Sequence, residues 1–175
     1  MAATTKQPAL SAPKRPHVAH PPSRRVLVIE SRFYENIADE LIEGAVAELE
    51  ACGASYERIA VPGALEIPQA LNAAVAAGLI PKDAPAARFC GAVALGCVIR
   101  GETSHYDIVC RNANHWLMEV AIRHNVPVGN GILTVESETQ ALARARGGRK
   151  GKGADAVRAC LKLIGLSLEF EIEGA

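Results

Sequence analysis

Aromatic side chains are scarce in this chain, at 4% of its 175 residues, so a core built of stacked rings is excluded and each ring is worth placing individually. Paired cysteines are missing too. The five cysteines (Cys52, Cys90, Cys97, Cys110 and Cys160) are odd in number and include no C-x-x-C pair. That argues against a disulfide framework or a zinc knuckle and for a reducing compartment in which most are small buried hydrophobes. There is no H-E-x-x-H, no G-x-x-x-x-G-K-[ST] loop and no G-x-S-x-G elbow. Metalloprotease, P-loop and serine-hydrolase readings therefore lose their usual support. GGRKGKG at 147–153 has glycines and lysines, but at the wrong spacing and after no strand. No apolar run approaches the ~18 residues of a membrane span, so no membrane partner is expected and the expected location is cytoplasmic.

Net charge of either sign is absent, since 19 basic residues balance 19 acids. The balance hides an asymmetry: Lys6, Lys14, Arg15, Arg24 and Arg25 stand within the first 25 residues with no acid among them, which leaves the rest at minus five. Five of the ten prolines (Pro8, Pro13, Pro16, Pro21 and Pro22) fall there as well. Residues 1–24 are therefore expected to be a disordered, basic, proline-rich leader, with an organelle transit peptide as the alternative. Residues 25–175 are expected to form one α/β domain, a size that suits a single core.

What is abundant is alternation. VLVIE (26–30) is a short β-branched run, followed by Ile37, Leu41, Ala45, Val46 and Leu49 at helical spacing, ending near Gly53. SYERIAV (55–61) reads as a second strand stopped by Pro62-Gly63, and Ile67, Leu71, Ala74, Val75 and Gly78 mark one face of a second helix. CGAVALGCVI (90–99) is too uniformly apolar for a one-sided sheet and reads as a central parallel strand. Val109, Ala113, Trp116, Leu117 and Val120 line a third helix. VPVGNGILTV (126–135) is the fourth strand, SETQALARA a short helix, and Val157, Cys160, Leu161, Ile164 and Leu168 a final amphipathic one. This order predicts a three-layer αβα flavodoxin-like domain with a four-stranded parallel sheet and right-handed crossovers.

In such sheets ligands bind beyond the carboxyl ends of the strands, here Ser31 to Tyr34, Pro62 to Glu66, Arg100 to His105, and Glu136. Ser104 and Asp107 have capping-box spacing, so the third helix is expected to start at Ser104 or Thr103. The preceding loop then offers backbone N–H groups to an anion, and Gly101 allows close approach. His105, in the first turn, would stand beside that pocket. Thr103 and Ser104 could equally do no more than cap a helix.

Taken together, SRFYE (31–35), VPGALEIP (61–68), GCVIRGETSHYD (96–107), GNGILTVE (129–136) and the basic glycine loop through KGAD (152–155) resemble the successive signatures of the lumazine synthase family. The resemblance spans about Val26 to Phe170. It implies a cofactor-free condensation, with no metal, of 5-amino-6-(D-ribitylamino)pyrimidine-2,4-dione with 3,4-dihydroxy-2-butanone 4-phosphate, giving 6,7-dimethyl-8-ribityllumazine. Under it His105 moves protons and Phe33 stacks on the pyrimidine. Ala64 and Glu66 meet the ribityl chain, and Leu65, Cys97, Val98 and Ile99 are further substrate-binding positions. Gly101, Glu102 and Thr103 hold the phosphate through backbone donors. Asn130 stands in the strand that lines the pyrimidine pocket, Arg144 binds phosphate from a neighbouring subunit, and Lys152 is the next candidate for the site. The implied assembly is a homopentamer with sites between subunits; some relatives build a sixty-subunit shell. Arg144, Arg146, Arg149, Lys150 and Lys152 form a basic cluster for which a solvated loop or an RNA contact is the alternative reading; no nucleic-acid partner is expected. Tyr34, Leu65, Glu102 and Asn130 depart from the family's usual residues.

Overall fold

The computed structural model describes residues 24–81, 83–84 and 86–173; of the expected leader, all but Arg24 lies outside them. The elements alternate: β1 (Arg25–Ser31), α1 (Glu35–Ala51), β2 (Ser55–Val61), α2 (Glu66–Ala76), β3 (Gly91–Ile99), α3 (His105–Arg123), β4 (Val128–Val135), α4 (Glu138–Ala145), one 3-10 turn (Gly148–Lys150) and α5 (Lys152–Glu173). All strand pairs are parallel and the order is β2-β1-β3-β4.

Side-chain alternation along the strands divides the core in two. Val26 and Val28 of β1 and Val93, Leu95 and Cys97 of β3 face α1, α4 and α5, while Leu27, Ile29, Ala92 and Ala94 face α2 and α3. This is the three-layer αβα arrangement. β1 and β3 are central and buried on both faces, as their continuous apolar runs require. β2 is an edge strand, and most of it is exposed.

Three local expectations are corrected. α2 stops at Ala76, and Gly78, with φ +68°, belongs to the turn beyond it instead of the helix face. Trp116 does not line the inner face of α3 but is 52% exposed. The buried stripe, Ala113, Leu117, Val120 and Ala121, is rotated toward Ala121 and leaves the indole on its shoulder. The expected basic glycine loop through KGAD is mostly helical, with a 3-10 turn at Gly148–Lys150. Arg144 sits in the last turn of α4, whose Ala141 and Ala145 are fully buried, and α5 already begins at Lys152.

The short connection between α4 and α5 is fastened to α1 by a buried carboxylate. Glu48 is 3% exposed and receives Arg149 Nε at 2.8 Å and Arg158 Nη1 at 2.9 Å. The hydrogen bond from Arg149 is the main cause that holds its carboxyl below the ordinary 4.5, against the opposing effect of burial. A carboxyl lowered in the folded state adds stability that is fully present above its unfolded value and is lost as pH falls through its folded value. Glu48→Gln is therefore expected to lower the melting temperature at neutral pH, with the gap to wild type closing only below about pH 4.5. Melting curves across that range check this; a gap that persists unchanged into acid would contradict the ion-pair account.

Candidate active site

The carboxyl ends of β1, β2 and β3 open into a cleft of about 370 Å³, within the usual range for small-molecule sites. Ten of the fourteen residues expected at the site line it: Phe33, Ala64, Leu65, Glu66, Cys97, Val98, Ile99, Gly101, Thr103 and His105. Tyr34, Pro62, Gly63, Tyr106 and Val109 complete the wall.

Each wall follows from local structure. The turn leaving β1 holds Phe33 70% exposed, edge-on to Tyr34 with ring centroids 4.9 Å apart. It is therefore no core residue, and its face is open for stacking. Ala64 is buried under the turn after β2, and Glu66 opens α2 with its carboxylate over Gly63. Cys97 lies at the floor, where burial pushes its thiol up to about 11, so it presents an uncharged apolar surface and no thiolate. Burial also raises the Tyr34 phenol.

The loop from Gly101 to Ser104 is exposed. Among the described residues, the main-chain N–H groups of Gly101, Glu102 and Thr103 have no acceptor, and space around Gly101 is open. That leaves donors free at the start of α3, where the helix dipole favours an anion. The expected capping box is not made. Ser104 already has helical angles (φ −66°, ψ −4°) and its side chain caps nothing, whereas a capping residue needs extended backbone. Asp107 turns instead toward Arg100, and the His105 N–H donates to Thr103 Oγ1 at 3.4 Å.

Glu102, Asn130, Arg144 and Lys152 do not line this cleft. Glu102 is exposed on the loop. Asn130, on the edge strand β4, donates to Asn114 Oδ1 at 2.6 Å and accepts from the Ile132 N–H at 3.0 Å. With Lys152 and Asp155 it lines a second cleft of about 330 Å³ along β4. Lys152 Nζ there pairs with Asp155 Oδ2 at 2.7 Å, so Asp155 sits inside the first turn of α5 and pairs with cations. Arg144 is exposed and donates to Gln140 O at 3.0 Å. Within one chain ten of the candidates thus share the first cleft, Asn130 and Lys152 line the second, and Glu102 and Arg144 line neither.

Tyr106 and Val109 were not expected at the cleft. The signal for Val109 was available, since it follows His105 by four residues and i to i+4 neighbours share a helix face, and Tyr106 is the i to i+3 neighbour of Val109. Among the described residues no cluster of His, Cys, Asp and Glu could hold a metal ion, and no helix is long and apolar enough to cross a membrane.

Comparison with known proteins shows the family. The family model described as 6,7-dimethyl-8-ribityllumazine synthase matches residues 23–167. The chain belongs to the 6,7-dimethyl-8-ribityllumazine synthase family. Proteins of that name include one from Azorhizobium caulinodans, 52% identical over 142 residues, covering 81% of this chain and 85% of the relative. One from Methylobacterium radiotolerans is 47% identical over 166 residues, covering 95% and 94%, and one from Nitrobacter hamburgensis 48% identical over 140 residues, covering 80% and 83%. Family membership makes sense of a cleft with an exposed aromatic face at one end and free backbone donors at the other: a lumazine synthase must hold a flat heterocycle and a phosphate ester together.

Proposed function

We propose that this protein condenses 5-amino-6-(D-ribitylamino)pyrimidine-2,4-dione with 3,4-dihydroxy-2-butanone 4-phosphate to form 6,7-dimethyl-8-ribityllumazine, the penultimate step of riboflavin biosynthesis. The observation that carries this reading is the cleft itself, where Phe33, Glu66, the Gly101–Thr103 loop and His105 meet across three strand ends. The pyrimidine's primary amine adds to the ketone and water leaves as the imine forms. A proton is then lost from carbon as the C–O bond to phosphate breaks, and ring closure releases a second water. Phe33 stacks on the heterocycle. Glu66 accepts from ribityl hydroxyls. The loop N–H groups hold the phosphate and His105 carries protons between the reacting atoms. An anaerobic assay of the purified protein with both substrates tests this: saturable lumazine formation supports it, and binding without turnover would favour a ligand-holding relative.

That Asn130, Arg144 and Lys152 stand outside the first cleft supports an oligomer in which these residues of one subunit complete the cleft of the next, a pentamer in this reading. The face of α3 that carries Ile108, Trp116 and Ile122, all more than half exposed, and the α2–α3 groove of about 710 Å³ supply apolar surface for such contacts. Five free thiols fit a reducing compartment, the cytoplasm.

Arg144 then acts on the neighbouring subunit's phosphate. Loss of a charge-assisted, two-pronged bond costs about 1.5–3 kcal/mol, so Arg144→Ala is expected to raise KM for the butanone phosphate about 10- to 100-fold. At a butanone phosphate concentration well below the raised KM, mixing unfolded His105→Ala and Arg144→Ala subunits and refolding them together should give more activity than either variant alone, because some adjacent pairs then hold one intact site. No recovery on mixing would place the arginine and histidine in the same subunit's site.

A further inference from the structure

Arg100 stands between β3 and the loop that offers the backbone donors. Its N–H donates to Val135 O at 2.9 Å, which extends the β3–β4 ladder one bond past Ile99 and fixes where the side chain sets out. From there the guanidinium reaches two other segments at once. Nε lies 2.8 Å from Glu136 Oε2, at the exit of β4. Nη1 and Nη2 lie 3.4 and 3.3 Å from the two carboxylate oxygens of Asp107, in the first turn of α3. Its centre also sits 4.1 Å from the Tyr106 ring centroid, a stacked cation–π contact.

Asp107 and Tyr106 follow His105 directly, so these contacts hold the turn that carries the imidazole. The loop between has little else to hold it: Ser104 caps nothing, Gly101 touches nothing a side chain would meet, and residues 101–105 are exposed. Exposed ion pairs add little stability singly, so what this set supplies is geometry. Only a planar fork with several fixed donors serves two carboxylates and a ring together, which a lysine's single ammonium does not. Both donor edges already face carboxylates, which argues against Arg100 as the phosphate's own ligand.

We propose that Arg100 is a positioning residue for the condensation, tying the exit of β4 to the first turn of α3 so that the Gly101–Thr103 donors and His105 keep one geometry. This rests on the function proposed above. The test compares the full-length wild-type protein with Arg100→Ala, Arg100→Lys, Asp107→Asn and the Arg100→Ala/Asp107→Asn double variant, measuring kcat and both KM values alongside melting temperature.

Because misplacement of a reacting group by a fraction of an ångström to one ångström is costly, kcat is expected to fall about 10- to 100-fold in Arg100→Ala. Arg100→Lys should not rescue it, and KM for the pyrimidine should stay unchanged. Asp107→Asn should lower kcat in the same direction by less, with the double variant no worse than Arg100→Ala, since both remove one tether. A rise only in KM for the butanone phosphate, rescued by lysine, would make Arg100 a direct ligand and overturn the proposal. So would small, additive effects of a passive surface pair, or a kcat loss that only tracks a fall in melting temperature. Turnover by the wild type and every variant alike overturns the proposal alone, whereas no turnover by the wild type overturns the functional reading and the proposal with it.

Discussion

Replacing His105 with alanine lowers kcat by about 10²- to 10⁴-fold, the span expected for loss of a general acid–base group, while both KM values change only a few-fold. The expectation follows from what else the cleft contains. Its other hydrogen-bearing groups are poor substitutes: burial carries the Cys97 thiol to about 11 and raises the Tyr34 and Tyr106 phenols. Glu66 lies across the cleft over Gly63, placed for the ribityl chain. Imine formation needs a proton moved from nitrogen to the departing oxygen, and elimination needs one taken from carbon. His105 is the one imidazole on the cleft wall, and it stands beside the loop proposed above to hold the phosphate. In the function proposed above the loop N–H groups and Arg144 bind the phosphate, so its binding should survive the substitution. Steady-state kinetics with each substrate varied separately checks this; a kcat within about threefold of wild type would remove His105 from the proton path.

How much of this was legible before any coordinates follows the physics of each signal. β1 and β3 stood out because a strand buried on both faces must be apolar throughout, and β3 shows this with AVALGCV. Strand order then put the ligand side at the carboxyl ends, and residues from three such ends line the cleft. Signals that depend on rotation or on backbone angles were less readable. Trp116 fits a helical period as well as Leu117 does, and only packing of α3 through Ala113 and Ala121 turns it outward. Ser104 and Asp107 have the spacing of a capping box, but spacing does not reveal that Ser104 is already helical or that Arg100 competes for the carboxylate. Asn130, Arg144 and Lys152 came from family resemblance alone. Nothing in the local sequence shows that Asn130 and Lys152 line a cleft other than that of His105, because this depends on how an edge strand and α5 sit in the finished sheet.

Gly153→Ala is expected to cost about 3 kcal/mol, the upper part of the usual range for overpacking. A Cβ at this position would stand 1.9 Å from Leu41 O and 3.2 Å from Ala45 N, and both are main-chain atoms of a buried helix, unable to swing aside. One turn along α1, Gly44 makes the reciprocal approach, with Gly148 O only 2.6 Å from where its Cβ would be. The start of α5 and the 3-10 turn therefore lie backbone to backbone on α1. Any side chain there must push the two helices apart and strain the Glu48 ion pairs that bridge the same contact. For a domain of this size the loss corresponds to a fall of roughly 6–12 °C in melting temperature. Gly165→Ala, on the same helix with nothing within 4 Å, should be neutral or stabilising, since alanine is the better helix former. The displacement also reaches function. Lys152 precedes Gly153 directly, so KM for the butanone phosphate should rise more than KM for the pyrimidine. An unchanged melting temperature in Gly153→Ala would mean that α5 does not approach α1 this closely, and the placement of Lys152 beside β4 would fall with it.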